Sequence, residues 1–173
     1  MTPAELRASM PYAGARADTF AGPLTLAMAE FGIDTPKRQA AFLAQVCHES
    51  GSLRYTLELA DGRGYEGRAD LGNTEPGDGP RYKGRGLIQV TGRANYRDCG
   101  IALGLNLIEQ PDLLESTPGA CRSAGWFWRS KNLNRFADDD RFGSLTKAIN
   151  GGYNGLDDRI QHWLRARRAL GVL

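Results

Sequence analysis

Glu49 and Glu58, nine residues apart, are the two side chains of this sequence best placed to share acid–base chemistry. Glu49 closes a run of helical spacing. Glu58 follows where a turn and a strand can carry it across a cleft to face the first carboxyl. The negative end of a helix dipole, with partial burial beside Val46, favours the proton-bearing form of Glu49 that a proton donor needs. Glu58 lies among Arg54, Asp61 and Arg63, a polar setting in which a carboxylate stays ionised and can draw a proton from water. Most glutamate pairs are solvated surface charges, so the assignment rests on the setting and not on residue type.

Other chemistries fail on spacing. His48-Glu49 lacks a second histidine four residues on, and the only other one is His162, so a zinc-protease helix is missing its ligands. Gly62-Arg63-Gly64-Tyr65-Glu66-Gly67 matches a dinucleotide fingerprint, but no apolar strand precedes it and no regular helix follows. Lys83-Gly84-Arg85-Gly86 lacks the ending of a phosphate loop. Cys47 and His48 are adjacent, and adjacent helical side chains point about 100° apart, so Cys47 reads as core and not as a thiol nucleophile. No metal or organic cofactor is implied.

The elements that must position the two carboxyls are helices on either side of a glycine-rich middle running from Gly62 to Gly86. Thr2-Pro3-Ala4-Glu5 sets up a capped first helix, and a second, from Arg16 to Phe31, should break or kink at Gly22-Pro23. Thr35-Pro36 opens a third, with Ala40, Leu43, Val46 and Cys47 on one face and Ser50-Gly51 at its end, which puts Glu49 in the last turn. Residues 53–90 read as a small irregular sheet or hairpin ending in Gly86-Leu87-Ile88-Gln89-Val90, after which Thr91 can cap a helix. Further helices are expected near 92–103, 118–130, 140–149 and 155–170. Trp126, Phe127 and Trp128 read as core more than as a sugar platform, because three adjacent aromatics cannot share one face. The fold class is mainly α (α+β).

Composition bounds the rest. A chain of 173 residues is one domain, with 1–35 as N-terminal helices and 36–172 as the core. A net charge of +2 speaks against nucleic acid as a partner. Cys47, Cys99 and Cys121 are too scattered for a zinc ribbon or a disulfide framework. The first thirty residues hold Glu5, Arg7, Arg16, Asp18 and Glu30 and no signal-peptide core, so the product is expected in the cytoplasm that makes it. Arg159, Arg165, Arg167 and Arg168 make the last helix basic. A solvated face is the leading reading there, and weak contact with an anionic envelope the lesser one. A monomer is expected.

His48-Glu49-Ser50-Gly51, Tyr65-Glu66-Gly67-Arg68 with Asp70-Leu71-Gly72-Asn73-Thr74, the block YKGRGLIQVTGRANY from Tyr82 to Tyr96, and Ile149-Asn150-Gly151-Gly152 together resemble the family 19 glycoside hydrolases. These are the plant-type chitinases and related bacteriophage endolysins. The resemblance covers residues 36–172 and is nearest in character to the compact phage or prophage lysozymes, since the plant cysteine framework is missing. It implies a lysozyme-like fold, helical lobes with a small irregular β-hairpin region flanking the cleft. It makes Glu49, beside His48, the general acid. Gln89, Thr91 and Asn95, with Tyr96 closing the motif, become groups that position substrate and water. Asn150 and Arg159 match residues that line the cleft or hold the acid. The second carboxylate departs from the family pattern, because the segment before Gly84 is short. Glu58, nearer the helix end, is the choice and Glu66 the alternative.

The resemblance further implies hydrolysis of the β-1,4 bonds of bacterial peptidoglycan, whose glycan strands would be the partner, with inversion at the anomeric carbon. The two carboxyls should then stand roughly 6.5–9.5 Å apart. An enzyme of this kind would reach the cell wall on release at lysis. A chitinase acting on N-acetylglucosamine polymers and a silent glycan-binding module are the alternatives.

Overall fold

Helices carry most of the chain in the computed structural model, which describes residues 1–173. In order they are α1 (Pro3–Ser9), α2 (Arg16–Glu30), α3 (Pro36–Glu49), α4 (Asp78–Arg81), α5 (Arg93–Leu103), α6 (Thr117–Ser130), α7 (Asn134–Asp138), α8 (Phe142–Asn150) and α9 (Leu156–Ala169). Short 3₁₀ turns join them. Thr2 and Glu5 form a capping box on α1, and Thr35 accepts from the Arg38 amide at the start of α3. α2 runs unbroken through Pro23, against expectation. Pro23 is flanked by buried Ala21 and Leu24, whose packing outweighs one missing backbone bond. α6 begins at Thr117, one residue before the expected 118, and is capped by Ser116. α7 carries no strong periodic signal and was not expected.

α3 is the axis of the molecule: eight consecutive residues, Ala40 to Cys47, are buried, so it is enclosed on all sides. α9 lies along it, α1 packs on α9, and α2 pairs with α6. Phe42 of α3 meets Trp128 of α6 edge to face at 5.4 Å, and one continuous apolar core runs from Leu6 to Ala166.

The mainly helical class holds, and the hairpin region between α3 and α5 is sparer than its sequence suggests. It consists of two isolated antiparallel bridges, Leu57 with Arg85 and Arg85 with Val90. Residues 86–89, expected to end a strand, are the turn that folds Val90 back onto Arg85. Leu87 and Ile88 are both buried there, so their hydropathy marked burial of a turn and not of a strand face. Thr91 does not cap α5. Gly92 stands at that position, and the Asn73 side-chain oxygen accepts from the Arg93 amide at 2.8 Å.

Candidate active site

The chain leaves α3 at Glu49 through a strained reversal. Gly51, Ser52 and Leu53 all have positive φ, and two of them carry side chains for which that conformation is uncommon. Ser50 holds the turn by donating to the Val46 carbonyl at 2.6 Å and accepting from the Leu53 amide at 2.8 Å. Leu53 is buried, and the Arg16 guanidinium donates to the Ser52 carbonyl. This reversal sends residues 54–58 back alongside Arg85.

Glu49 is half-buried, and Arg159 Nη2 binds its Oε1 at 2.6 Å. Arg159, on the first turns of α9, is itself 2% exposed. Its remaining donors go to the side-chain oxygen of buried Gln45 and to the Asn154 carbonyl at 3.2 Å, while Gln45 donates to Thr146 at 2.9 Å. A network of this kind fixes the guanidinium before any substrate arrives. Asn150 serves the same loop. It donates to the Asn154 carbonyl at 3.1 Å and accepts from the Gly152 amide at 2.8 Å. Arg159 therefore seats Glu49 from α9, and Asn150 ties down the loop whose Asn154 carbonyl Arg159 also binds. The guanidinium also supplies a positive charge that opposes the α3 dipole at Glu49.

Glu58 is held differently. Tyr65 Oη donates to Oε1 and the Gly84 amide to Oε2, each at 2.8 Å, so both oxygens accept from neutral donors as an acceptor-only carboxylate does. Burial, and then its bond to Glu58, pushes the Tyr65 hydroxyl above the usual tyrosine range, which keeps it a donor. Glycine at position 84 leaves room for this arrangement. A Cβ there would stand 2.7 Å from the side-chain Oε1 of Gln89 and 3.0 Å from Glu58 Oε2, so both side chains reach the same glycine.

Gln89, Thr91 and Asn95 line one cavity of about 350 Å³ together with Leu71, Trp126, Phe127 and Lys131. Asn95 Nδ2 donates to the Thr91 carbonyl at 2.8 Å. Thr91 Oγ1 has only a long contact, 3.4 Å, to the Gln89 carbonyl. Glu58 itself lines a second cavity, about 380 Å³, with Arg54, Tyr55, Leu57, Leu59 and Lys83. Trp128 is the core residue that the sequence suggests for all three aromatics, whereas Trp126 and Phe127 turn partly toward the first recess. Their helical offset from Trp128 is the signal that separates them.

Two sequence candidates lie away from this constellation. Tyr96 is fully buried, its hydroxyl donating to the Lys83 carbonyl at 2.6 Å and accepting from Arg85, so it braces the loop and has no face for a ligand. Both oxygens of Glu66 accept from backbone, the amides of Gly77 and Gly79 at 2.6 and 2.8 Å, which ties it to the start of α4. Tyr65, Gln45 and the Gly84 amide belong to the site without having been singled out for chemistry. Backbone donors and buried amides carry no spacing signal.

The family profile described as Chitinase class I, of glycoside hydrolase family 19, matches residues 15–140. Endochitinase At2g43610 of Arabidopsis thaliana is 41% identical over 140 residues, 77% of this chain and 48% of that protein. A glycosyl hydrolase family 19 domain-containing protein of Haemophilus influenzae is 33% identical over 155 residues, 72% of this chain and 76% of that one. Among solved structures, chitinase C from Streptomyces griseus superposes with a TM-score of 0.77 at 27% identity, over 98% of this chain and 76% of that chain. The chain spans about half the length of the plant endochitinases it matches.

Proposed function

Since the chain belongs to glycoside hydrolase family 19, we propose that it hydrolyses β-1,4 linkages between N-acetylated aminosugars by paired acid and base catalysis. One observation carries this reading: two carboxyls separated by a single strained reversal are held by opposite means, Glu49 by a buried guanidinium and Glu58 by two neutral donors. Glu49 gives its proton to the glycosidic oxygen as the bond from that oxygen to the anomeric carbon breaks. Arg159 then faces the carboxylate that this step leaves behind. Glu58 takes a proton from a water whose oxygen attacks the opposite face of the anomeric carbon, and Gln89 and Thr91 orient that water. Proton exchange with solvent resets both groups. The product is inverted.

The finer proposal is that the polymer is peptidoglycan and that the enzyme meets it in the cell wall after release, as an endolysin would. The Haemophilus influenzae relative, of which the match covers 76%, supports a compact family 19 enzyme. Chitin is the second reading, favoured by the endochitinases among the relatives. Turbidity loss of purified sacculi, set beside release from chitin oligosaccharides, separates the two. In either assay Glu49→Gln should lower the rate about 10²–10⁴-fold, and the first product seen by proton NMR should be the α-anomer. Undiminished cleavage by that variant would remove Glu49 from its role, and an initial β-anomer would remove the inverting mechanism.

A further inference from the structure

A general acid must carry a proton, yet Glu49 is bound at 2.6 Å by a guanidinium, whose charge favours the anion. The neighbouring residues answer this conflict. His48 precedes Glu49 on α3 and Asp158 precedes Arg159 on α9, so the two helix turns are joined by two adjacent rungs. One is Glu49 with Arg159. The other is His48 Nδ1 with Asp158 Oδ2 at 2.7 Å. The same Asp158 oxygen also takes His162 Nε2 at 3.2 Å. Burial leads in holding His162 below the usual imidazole range, so at neutral pH it adds no positive charge. Although burial opposes it, the bond from His48 and the two imidazoles keep the Asp158 carboxyl below the usual carboxylate range, so its negative charge persists.

We infer that Asp158 is a positioning residue for the acid: gathering both histidines, it clamps α9 to the end of α3, and its charge offsets Arg159 so that Glu49 retains its proton. This rests on the proposed glycosidase reading. Gly155 is part of the clamp, because its positive φ and bare Cα let the His48 ring lie against it where any Cβ would collide. The charged and titratable groups facing the clamp are few. α9 contributes Arg165, with Nη1 3.3 Å from His162 Nδ1, and α3 contributes Cys47, with Sγ 3.4 Å from the same nitrogen. From α2, Arg16 donates to the Ser52 and Tyr12 carbonyls. On α1, Arg7 is engaged by Asp18 and Glu5 by Thr2, and Lys147 of α8 lies over Tyr153.

The test is the pH dependence of kcat/KM for the wild type, Asp158→Asn and His48→Gln on one polymer. Asp158→Asn keeps the shape and removes the charge, so its alkaline limb should move about half a unit to one unit toward lower pH. His48→Gln keeps the charge and loosens the clamp, so it should lower kcat several-fold with the limb in place. A slower Asp158→Asn enzyme with an unmoved limb would make the clamp merely structural and overturn the inference. If that variant does not fold, proton NMR of the chain's two histidines decides. Their titration should change in Glu49→Gln through linkage, and identical curves would overturn the inference. A wild type that cuts neither sacculi nor chitin would instead sink the glycosidase reading itself.

Discussion

Under the proposed mechanism Glu58 is the base, and it is held by Tyr65 and the Gly84 amide. Its two oxygens are occupied by one phenol and one backbone amide. Tyr65→Phe removes only the first of these partners. A hydrogen bond to a charged group contributes roughly 1.5–3 kcal/mol, so the variant should lose about tenfold or more in kcat with little change in KM. Kinetics on a soluble oligosaccharide check this, and an unchanged kcat would mean that Tyr65 does not position the base. Arg159 is the counterpart at Glu49. Its Nη2, Nη1 and Nε go to Glu49, Gln45 and the Asn154 carbonyl, so a lysine, with one point charge in place of a fork, cannot replace it.

Among elements, the loop between Glu58 and α5 has almost no strand pairing and is held by side chains. Asp78, buried at the start of α4, accepts both arms of Arg93 from α5 at 2.6 and 2.8 Å. The bond from Arg93 holds the Asp78 carboxyl below its ordinary value of 3.8. A carboxyl depressed in the folded state binds its proton less readily than in the unfolded chain. Its contribution is therefore complete above the ordinary value and is lost as the pH falls through the lowered one. Asp78→Asn should lower stability at pH 7 by about 2–3 kcal/mol, with the gap to wild type closing in strong acid. Thermal melts across pH 2–7 would show this, and a constant gap would assign the loss to packing. α9 gives the contrary lesson about charge. Of its basic residues, Arg159, Arg165 and Arg167 are committed inward, to Glu49, His162 and Asp140. Arg168 is the one arginine of α9 left exposed.

At the scale of the molecule, one core joins the first helix to the last and needs no covalent staple. Cys47, Cys99 and Cys121 are free and at most 1% exposed. Burial pushes the Cys99 and Cys121 thiols up to about 12 and raises Cys47 as well. A thiol reagent should label none of them in the native protein and all three after unfolding, and the melting temperature should be the same with and without reductant. Rapid labelling of the native form would show that the core opens. No helix is long and apolar enough to cross a membrane.

The sequence by itself determined the helical class, most helix starts, and Glu49 at the end of α3, because capping residues, first-turn prolines and apolar spacing act within a few residues of where they are read. It also marked Gln89, Thr91 and Asn95, through the motif they share. Only the tertiary structure decided that Tyr96 is a brace, that Glu66 binds backbone, that Glu58 is seated by Tyr65 and Gly84, and that the last turn of α3 is clamped by α9 through Asp158 and Arg159. Each of these depends on partners 7 to 110 positions away along the chain, and a side chain's hydrogen-bonding partner across such a gap is set by how the helices pack, which no local spacing encodes.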